Sequence, residues 1–219
     1  MVKTALIIGS TGLIGSELLK ILLESSDYAQ VVTFVKRDTG IQHTKLKQHI
    51  IDFDKPEMYQ DLIVGDDLFC TIGTTIKNAG SQEAFRKVDF TYPKQFATIA
   101  LQQNIKQFLL VSSLNADAAS NNFYLKTKGE IQEFLKSAPF ESVSILQPSL
   151  LLGQRNEFRF GEKVGAFFMK MFSFIFQGNL KKYQPIEGVK VAKAMYKLAK
   201  KNTAGFNIYE SDVIQELGN

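Results

Sequence analysis

The chain alternates short, almost continuously apolar runs with longer segments whose apolar residues recur at helical spacing. An apolar run at residues 4–8 is followed by a helical pattern at 13–23 and by a second apolar run at 30–35. The alternation predicts further strands at 46–53, 67–72, 107–111 and 142–146, and helices at 81–103 and 122–136. Strands that are apolar on both faces are typical of a parallel sheet covered by helices on both sides. The pattern therefore predicts an α/β fold with a doubly wound parallel sheet and right-handed crossovers.

The pattern changes after Pro148. Residues 163–177 read KVGAFFMKMFSFIFQ, and only a narrow polar stripe interrupts an otherwise apolar circumference. This segment is too short to span a bilayer. It can be a core helix, a lid over a substrate pocket or a dimer face, or a surface that contacts a membrane. A helix at 188–201 and a short strand at 205–209 follow. Since no linker is visible, we expect one domain over 1–219, in which residues 150–219 form a small extension on the substrate side.

The composition narrows the possible function classes. The 219 residues include 45% hydrophobic and 22% charged positions, which are ordinary values for a soluble globular domain. The net charge of +4 is spread along the chain, so we predict no nucleic-acid partner. A single cysteine excludes an intramolecular disulfide, and two histidines with one cysteine argue against a zinc site, so no metal is expected. No signal peptide or transmembrane segment is visible, and the default expectation is a cytoplasmic protein.

Three glycines stand directly after the first predicted strand, in IIGSTGLIG. At a strand-to-helix turn, Gly9 permits the tight turn, Gly12 allows a pyrophosphate to approach the backbone, and Gly15 lets the helix pack closely. The N–H groups and dipole of the following helix then favour phosphate. A glycine-rich turn without a ligand is the alternative, but the strand–turn–helix–strand context favours a dinucleotide site of Rossmann type. The residues predicted to bind it here are Gly9, Ser10, Thr11, Gly12, Leu13, Ile14 and Gly15.

The end of the second predicted strand discriminates between the two nicotinamide cofactors. A carboxylate at this place bonds the adenosine ribose and repels a 2′-phosphate. Here the chain reads Lys36-Arg37-Asp38, and the planar guanidinium of Arg37 matches a phosphate. We therefore predict NADP(H) in preference to NAD(H), with Lys36 and Arg37 as cofactor-binding residues. Two alternatives remain: both cations are simply exposed, or Asp38 pairs with Arg37 and weakens the preference.

The glycine pattern, together with Tyr124-x-x-x-Lys128, resembles the short-chain dehydrogenase/reductase superfamily. Within it, the chain is similar to the atypical, NAD(P)H-binding branch that includes the Tat-interacting-protein-like oxidoreductases. The similar segments are FCTIGTT at 69–75, Ala79-Gly80, Val88-Asp89, Ser112-Ser113 and PSLLLGQR at 148–155. The resemblance implies an oxidoreductase with a nicotinamide cofactor and an apolar-walled substrate pocket in the C-terminal region. It also implies that Lys128 holds the nicotinamide ribose.

The chemistry of this second group of residues also follows from their types. Tyr124 and Lys128 lie four residues apart and share one face of a helix. An ammonium favours the ionised form of a neighbouring phenol, so Tyr124 can serve as acid or base. Ser113 ends a strand at the same edge as the glycine turn and can hydrogen-bond a substrate carbonyl. Either Ser112 or Ser113 can fill this place, since consecutive strand residues point to opposite faces, and the family pattern favours Ser113. An incidental pair on an exposed helix is the alternative for Tyr124 and Lys128.

Further positions are assigned by their place after a strand. Asp52 and Phe53 match the place where relatives bond the adenine edge, although Asp52 can equally cap a strand end. Arg155 can bind an anionic substrate group or pair with a nearby glutamate. Many superfamily members place an asparagine near Asp89, and the effect of that departure on proton transfer is open. The remaining cofactor-binding predictions are Gly73 and Thr74 beside the adenosine ribose and diphosphate, and Pro148, Leu150 and Leu151 beside the nicotinamide.

These observations predict an NADP-dependent oxidoreductase that transfers hydride to or from a carbonyl or alcohol. Tyr124 is its acid/base, Lys128 tunes Tyr124, and Ser113 positions the carbonyl. The expected partner is a small-molecule substrate with an apolar portion, and a homodimer is possible. Two alternatives use the same residues: an NADPH-sensing regulatory protein without significant turnover, and an enzyme of the nucleotide-sugar epimerase or dehydratase kind.

Overall fold

Seven parallel strands form one sheet in a computed structural model that describes residues 2–152 and 178–219. The order across the sheet is β3-β2-β1-β4-β5-β6-β9, so the chain reverses its direction of travel between β1 and β4. A short parallel pair, β7 and β8, lies beside this sheet. The strands are β1 (Lys3–Ile8), β2 (Tyr28–Val35), β3 (Leu46–Ile50), β4 (Asp67–Cys70), β5 (Gln107–Val111), β6 (Ser142–Gln147), β7 (Leu151–Leu152), β8 (Ile186–Glu187) and β9 (Gly205–Glu210).

Helices cover both faces of the sheet. On one face, Phe96 of α4 and Ile131 of α5 pack with Phe34 and Phe108 of the strands. On the other face, Leu18 of α1 and Met195 of α6 pack with Ile7. The helices are α1 (Leu13–Glu24), α2 (Ile76–Ala79), α3 (Gln82–Arg86), α4 (Tyr92–Gln102), α5 (Phe123–Ser137), α6 (Gly188–Lys201) and α7 (Ser211–Gly218). Both faces of the central strands are thus buried, which explains why these strands are continuously apolar in the sequence.

The predicted fold class is confirmed: the sheet is parallel, doubly wound and of Rossmann type. The strand at the end of the chain pairs with β6 and extends to Glu210. Two predictions are corrected. The third strand ends at Ile50 rather than 53, because the chain turns inward and buries Phe53 in the core. The helix over 81–103 is interrupted by a π-helical turn, Lys87–Thr91.

Pro93 gives a physical reason for this interruption. Proline has no N–H, so an α-helical bond from residue 93 to the carbonyl of residue 89 is not possible. The backbone N–H of Tyr92 instead donates to the carbonyl oxygen of Lys87, five residues earlier. Such π-helical turns are found frequently at functional sites.

Within residues 2–152 and 178–219, no helix is long and apolar enough to cross a membrane. The predicted aromatic helix at 163–177 lies outside the described residues.

Candidate functional site

The carboxyl ends of the central strands bring the predicted site residues to one edge of the sheet. Ile8 at the end of β1 pairs with Cys70 at the end of β4, at the point where the chain reverses across the sheet. On the neighbouring strands, the backbone N–H of Ser112 donates to the carbonyl of Leu146 at 2.8 Å, and that of Leu114 to Pro148 at 3.0 Å. In open α/β sheets, ligands bind in the crevice beyond such a reversal point.

The glycine turn at this edge has no room for side chains at two of its three glycines. Gly9 has a φ of +89°, and a Cβ there would lie 2.4 Å from the backbone nitrogen of Ile72. A Cβ at Gly15 would lie 2.1 Å from the carbonyl oxygen of Gly9 and 2.5 Å from Oγ1 of Thr71. Gly12 is different, because its nearest contact would be the Gly9 oxygen at 3.3 Å. Gly9 and Gly15 therefore serve the fold, whereas a Cβ at Gly12 would meet a single atom within 4 Å.

The beginning of α1 fits a pyrophosphate. Gly12 caps the helix without a side-chain hydrogen bond, and the first turn contains no acidic residue. The first backbone N–H groups of α1 thus keep their ability to bind an anion. Ser10 is 3% exposed, and its hydroxyl has no hydrogen-bond partner in the described part of the chain. A buried hydroxyl of this kind is usually satisfied, and a phosphate oxygen at this turn is a suitable acceptor for it.

Lys36 and Arg37 follow β2 on the surface of the same edge. The ammonium of Lys36 lies 5.8 Å from the ring centre of Tyr92 and 6.0 Å from that of Phe53. Asp38 does not pair with Arg37: its Oδ1 accepts the backbone N–H of Gly40 at 2.9 Å and the Gln48 amide at 2.7 Å. These two bonds, the Gly40 bond first, hold the pKa of Asp38 below its usual value. The carboxylate is therefore occupied locally, and the guanidinium of Arg37 forms no ion pair within the described ranges.

Asp52 and Phe53 lie in the turn that follows β3. Oδ1 of Asp52 accepts the backbone N–H of Asp54 at 3.0 Å, which is the capping arrangement that the sequence left open. The Phe53 ring is 4% exposed and packs against Tyr92 with ring centres 5.1 Å apart. The side chain of Phe53 is therefore a core group, and only its backbone is suitable for a contact with adenine.

One stripe of α5 faces the ends of β4 and β5. Tyr124, Lys128 and Gln132 are spaced four residues apart and share this stripe. The Gln132 amide donates to the hydroxyl of Ser112 at 2.5 Å, and the Gln147 amide donates to the oxygen of Gln132 at 2.9 Å. The stripe is thus fixed to the carboxyl end of β5.

These bonds give the two consecutive serines different roles. Ser112 is buried, and its hydroxyl is taken up by Gln132. Ser113 is only partly buried, and its hydroxyl makes one long contact of 3.4 Å with the carbonyl of Leu114. Tyr124 is also partly exposed, and its ring packs on Phe85 with centres 5.4 Å apart. Of the two serines, Ser113 is the one whose hydroxyl is accessible to a substrate.

Lys128 forms a buried ion pair with Asp89. The Lys128 ammonium lies 2.7 Å from Oδ1 of Asp89, and the side chains are only 8% and 0% exposed. Burial alone would lower the pKa of Lys128, but the charge of Asp89, together with Tyr124, outweighs it and raises that pKa. Lys128 is therefore held as an ammonium ion. The adjacent Cys70 is fully buried, and burial raises the pKa of its thiol to about 12, so it remains a neutral thiol.

Gly73 and Thr74 border this ion pair. The backbone N–H of Thr74 donates to Oδ2 of Asp89 at 2.9 Å. A Cβ at Gly73 would lie 3.2 Å from Oδ1 of Asp89 and 3.5 Å from the Lys128 ammonium. The contact of Gly73 with the adenosine ribose and diphosphate stays a prediction, and the structure places Gly73 against the Lys128–Asp89 pair.

The segment after β6 contains a short strand, β7, that the sequence pattern does not predict. Pro148 is buried, and its carbonyl accepts the N–H of Leu114. Leu150 is 65% exposed, but Leu151 belongs to β7 and pairs with Ile186, so it is part of regular structure rather than of a loop. Arg155 lies outside the described residues.

Sequence reasoning missed two structural features of the site. Gln132 anchors α5 to β5, and its only sequence signal is the four-residue spacing from Lys128. The pairing of Asp89 with Lys128 is not predicted by the sequence, although Pro93, four residues after Asp89, signals an irregular helix. In the described part of the chain, no group of three histidine, cysteine, aspartate or glutamate side chains is placed to hold a metal ion.

Comparison with known proteins identifies the family. A family model described as NAD(P)H-binding matches residues 9–164, which is more than half of the chain. The chain belongs to this NAD(P)H-binding family. Protein FMP52, mitochondrial, of Debaryomyces hansenii is 33% identical over 202 residues, which cover 90% of this chain and 87% of that protein. Protein HTATIP2 of Rattus norvegicus is 33% identical over 164 residues, covering 73% and 67%. The resemblance to the Tat-interacting-protein-like branch is thereby confirmed.

Solved structures show that this NAD(P)H-binding protein shares its fold with reductases and epimerases. The oxidoreductase ylbE of Lactococcus lactis superposes with a TM-score of 0.69 at 18% identity, covering 98% of this chain and 94% of that one. The UDP-glucose 4-epimerase of Thermotoga maritima gives 0.69 at 15% identity, covering 94% and 75%. At such identities the likeness concerns the fold alone.

Proposed function

We propose that the protein is an NADP-dependent oxidoreductase that interconverts a carbonyl and an alcohol. The observation that carries the proposal is the arrangement at the carboxyl edge of the sheet. The accessible hydroxyl of Ser113 and the α5 stripe with Tyr124 and Lys128 adjoin the same reversal point as the glycine turn. A site that only binds a dinucleotide has no need for an acid/base group and a carbonyl donor at this edge.

The cofactor preference rests on the end of β2. Arg37 is exposed and has no ionic partner in the described ranges, while the carboxylate of the next residue, Asp38, is bonded to Gly40 and Gln48. A guanidinium in this state is available for bidentate contact with a 2′-phosphate. The free first turn of α1 and the unsatisfied hydroxyl of Ser10 suit the pyrophosphate that NADP(H) and NAD(H) share.

In the reductive direction, bound NADPH would supply the hydride for the new C–H bond at the carbonyl carbon. Ser113 donates a hydrogen bond to the carbonyl oxygen and orients it. Tyr124 transfers its phenolic proton to that oxygen, which completes the alcohol. The neighbouring Lys128 ammonium favours the phenolate that this leaves behind, and solvent reprotonates Tyr124 through its exposed side. The reverse sequence oxidises an alcohol.

The remaining features of the proposal come from the sequence. The substrate is a small molecule with an apolar portion, accommodated on the side of residues 150–219, and a homodimer is a possible assembly. The cytoplasm is the proposed location. The name of the FMP52 relatives includes "mitochondrial", so localisation of a tagged protein should compare these two compartments.

The proposal is tested by turnover of NADPH with a panel of aldehydes, ketones and quinones. Replacing Tyr124→Phe removes the proton donor, and we expect the rate to fall at least 100-fold, in line with general acid catalysis, while NADPH binding is retained. Ser113→Ala should lower the rate in the same way. Ser137→Ala is the matched control, because its hydroxyl bonds the carbonyl of Phe134 at the exposed far end of α5, and it should retain most of the activity.

Two outcomes contradict the proposal. Unchanged turnover in Tyr124→Phe means that Tyr124 is not the acid/base. A wild-type protein that binds NADPH tightly but turns over no carbonyl of the panel supports a regulatory NADPH sensor instead.

A further inference from the structure

The π-helical turn Lys87–Thr91 brings an acidic side chain into the interior of the proposed site. Asp89 lies in the middle of this turn, and its side chain is fully buried. Burying a carboxylate is costly unless the charge is paired and hydrogen-bonded. The turn is itself an irregularity within one longer helical segment. A costly group in an irregular turn is typical of a position kept for function.

The carboxylate of Asp89 connects two other segments of the chain. Oδ1 pairs with the ammonium of Lys128 on α5 at 2.7 Å. Oδ2 accepts the backbone N–H of Thr74, which follows β4, at 2.9 Å. Gly73 leaves the space that this arrangement needs, since a Cβ there would come within 3.2 Å of Oδ1. The π turn, α5 and the segment after β4 are therefore joined through one carboxylate.

We propose that Asp89 is a positioning residue that holds the Lys128 ammonium in place for both the cofactor and Tyr124. This inference rests on the proposed function. Without Asp89, the flexible Lys128 side chain has no ionic partner within the described ranges that would fix its head group. With Asp89, the ammonium is held beside Gly73 and one helical turn from Tyr124, before any ligand binds.

The pair also has an electrostatic consequence. The charged or titratable groups that face Lys128 are Asp89 from the π turn, Cys70 from β4 and Tyr124 from α5 itself. Cys70 remains a neutral thiol, so Asp89 supplies the negative charge. This charge offsets the cost of burying the ammonium and keeps Lys128 charged at the site.

The first test is a double-mutant cycle on NADPH affinity, measured by titration of the purified full chain. Asp89→Asn keeps the size of the side chain and an acceptor for Thr74 but loses the charge. We expect it to weaken NADPH binding about tenfold in the wild-type background and to have no further effect in the Lys128→Met background, because it acts through Lys128. Asp67→Asn is the matched control: Asp67 is 2% exposed and pairs with Lys3 at 3.0 Å, but at the opposite edge of the sheet. It should leave NADPH affinity unchanged.

The second test separates kcat from the KM for NADPH. In Asp89→Asn the KM for NADPH should rise about tenfold, whereas Asp67→Asn should keep the wild-type KM. A merely structural role of Asp89 lowers the amount of folded enzyme and therefore the apparent kcat, but leaves this KM unchanged. Thermal unfolding of each variant identifies any that fails to fold, and Asp89→Asn is preferred to Asp89→Ala because it retains the packing.

The outcomes separate this inference from the proposed function. Equal weakening of NADPH binding in both backgrounds, or none in either, overturns the positioning role, as does an unchanged KM for NADPH in an active Asp89→Asn enzyme. If the wild type turns over no carbonyl but the cycle is non-additive, Asp89 positions Lys128 for the cofactor and only the oxidoreductase function fails.

Discussion

Gly12 and Gly15 belong to the same turn, and the structure predicts opposite consequences for adding one methyl group to each. In Gly15→Ala the new Cβ would lie 2.1 Å from the carbonyl oxygen of Gly9, and real Cβ contacts under 3.0 Å are essentially never seen. The obstructing atom is backbone and cannot rotate away, so α1 must move outward by about 1 Å to restore an ordinary contact distance. Because α1 is packed in the core through Leu18 and Leu22, this shift disturbs a buried interface.

The magnitude follows from the cost of overpacking. Inserting a methyl group into a closely packed site costs about 1–3 kcal/mol. In a chain of this size, each kcal/mol lowers the Tm by about 2–4 °C, so Gly15→Ala should lose roughly 4–8 °C for a cost near 2 kcal/mol. In Gly12→Ala the nearest contact would be 3.3 Å, and the φ of −80° suits alanine. Its stability should change by less than about 0.5 kcal/mol, or about 2 °C.

Cofactor binding should rank the two variants differently. Gly12 is the glycine at which we predict that a pyrophosphate approaches the backbone. A methyl group there should obstruct it, and we expect at least a tenfold loss of NADPH affinity, about 1.4 kcal/mol. The assay combines thermal unfolding without cofactor and NADPH titration of each variant. Equal loss of Tm in the two variants, or unchanged NADPH affinity in Gly12→Ala, would refute the division between a glycine of the fold and a glycine of the site.

Two further predictions concern the loops beside this turn. Arg37→Ala should weaken NADPH binding by roughly 10- to 150-fold, the equivalent of 1.5–3 kcal/mol for hydrogen bonds to a charged group, and leave NADH binding within about twofold; equal losses for both cofactors contradict the assignment. Asp54 is bonded to Lys87 at 2.7 Å and to the Tyr92 hydroxyl at 2.9 Å, and these bonds, Lys87 first, lower its pKa from the usual 3.8. Its contribution to stability is therefore present above pH 3.8 and lost as the pH falls through the lowered value. The difference in urea midpoint between wild type and Asp54→Asn should shrink between pH 7 and 3, and a constant difference argues against the linkage.

The sequence alone determined the framework of this protein. Continuously apolar strands alternating with amphipathic helices can be satisfied only by a sheet covered on both faces, so the parallel arrangement was predictable. The spacing of the glycines also predicted the tight turn after β1. Gly9 and Gly15 occupy positions where a Cβ would collide with backbone atoms. The four-residue spacing of Tyr124 and Lys128 placed both on one stripe of α5. All of these are local or periodic properties, which a sequence expresses directly.

Only the tertiary structure decided which groups meet across segments that are distant in the chain. Ser112 and Ser113 are equivalent by sequence, but Gln132, twenty residues from Ser112, occupies the hydroxyl of Ser112 and leaves that of Ser113 accessible. Asp38 could have paired with Arg37, but Gln48 of the neighbouring strand binds it instead. Asp89 meets Lys128 only because a π turn and α5 pack at the same edge of the sheet. Hydrogen bonds and ion pairs form only when two such segments are positioned to within a few tenths of an ångström. Residue spacing along the chain does not encode that positioning.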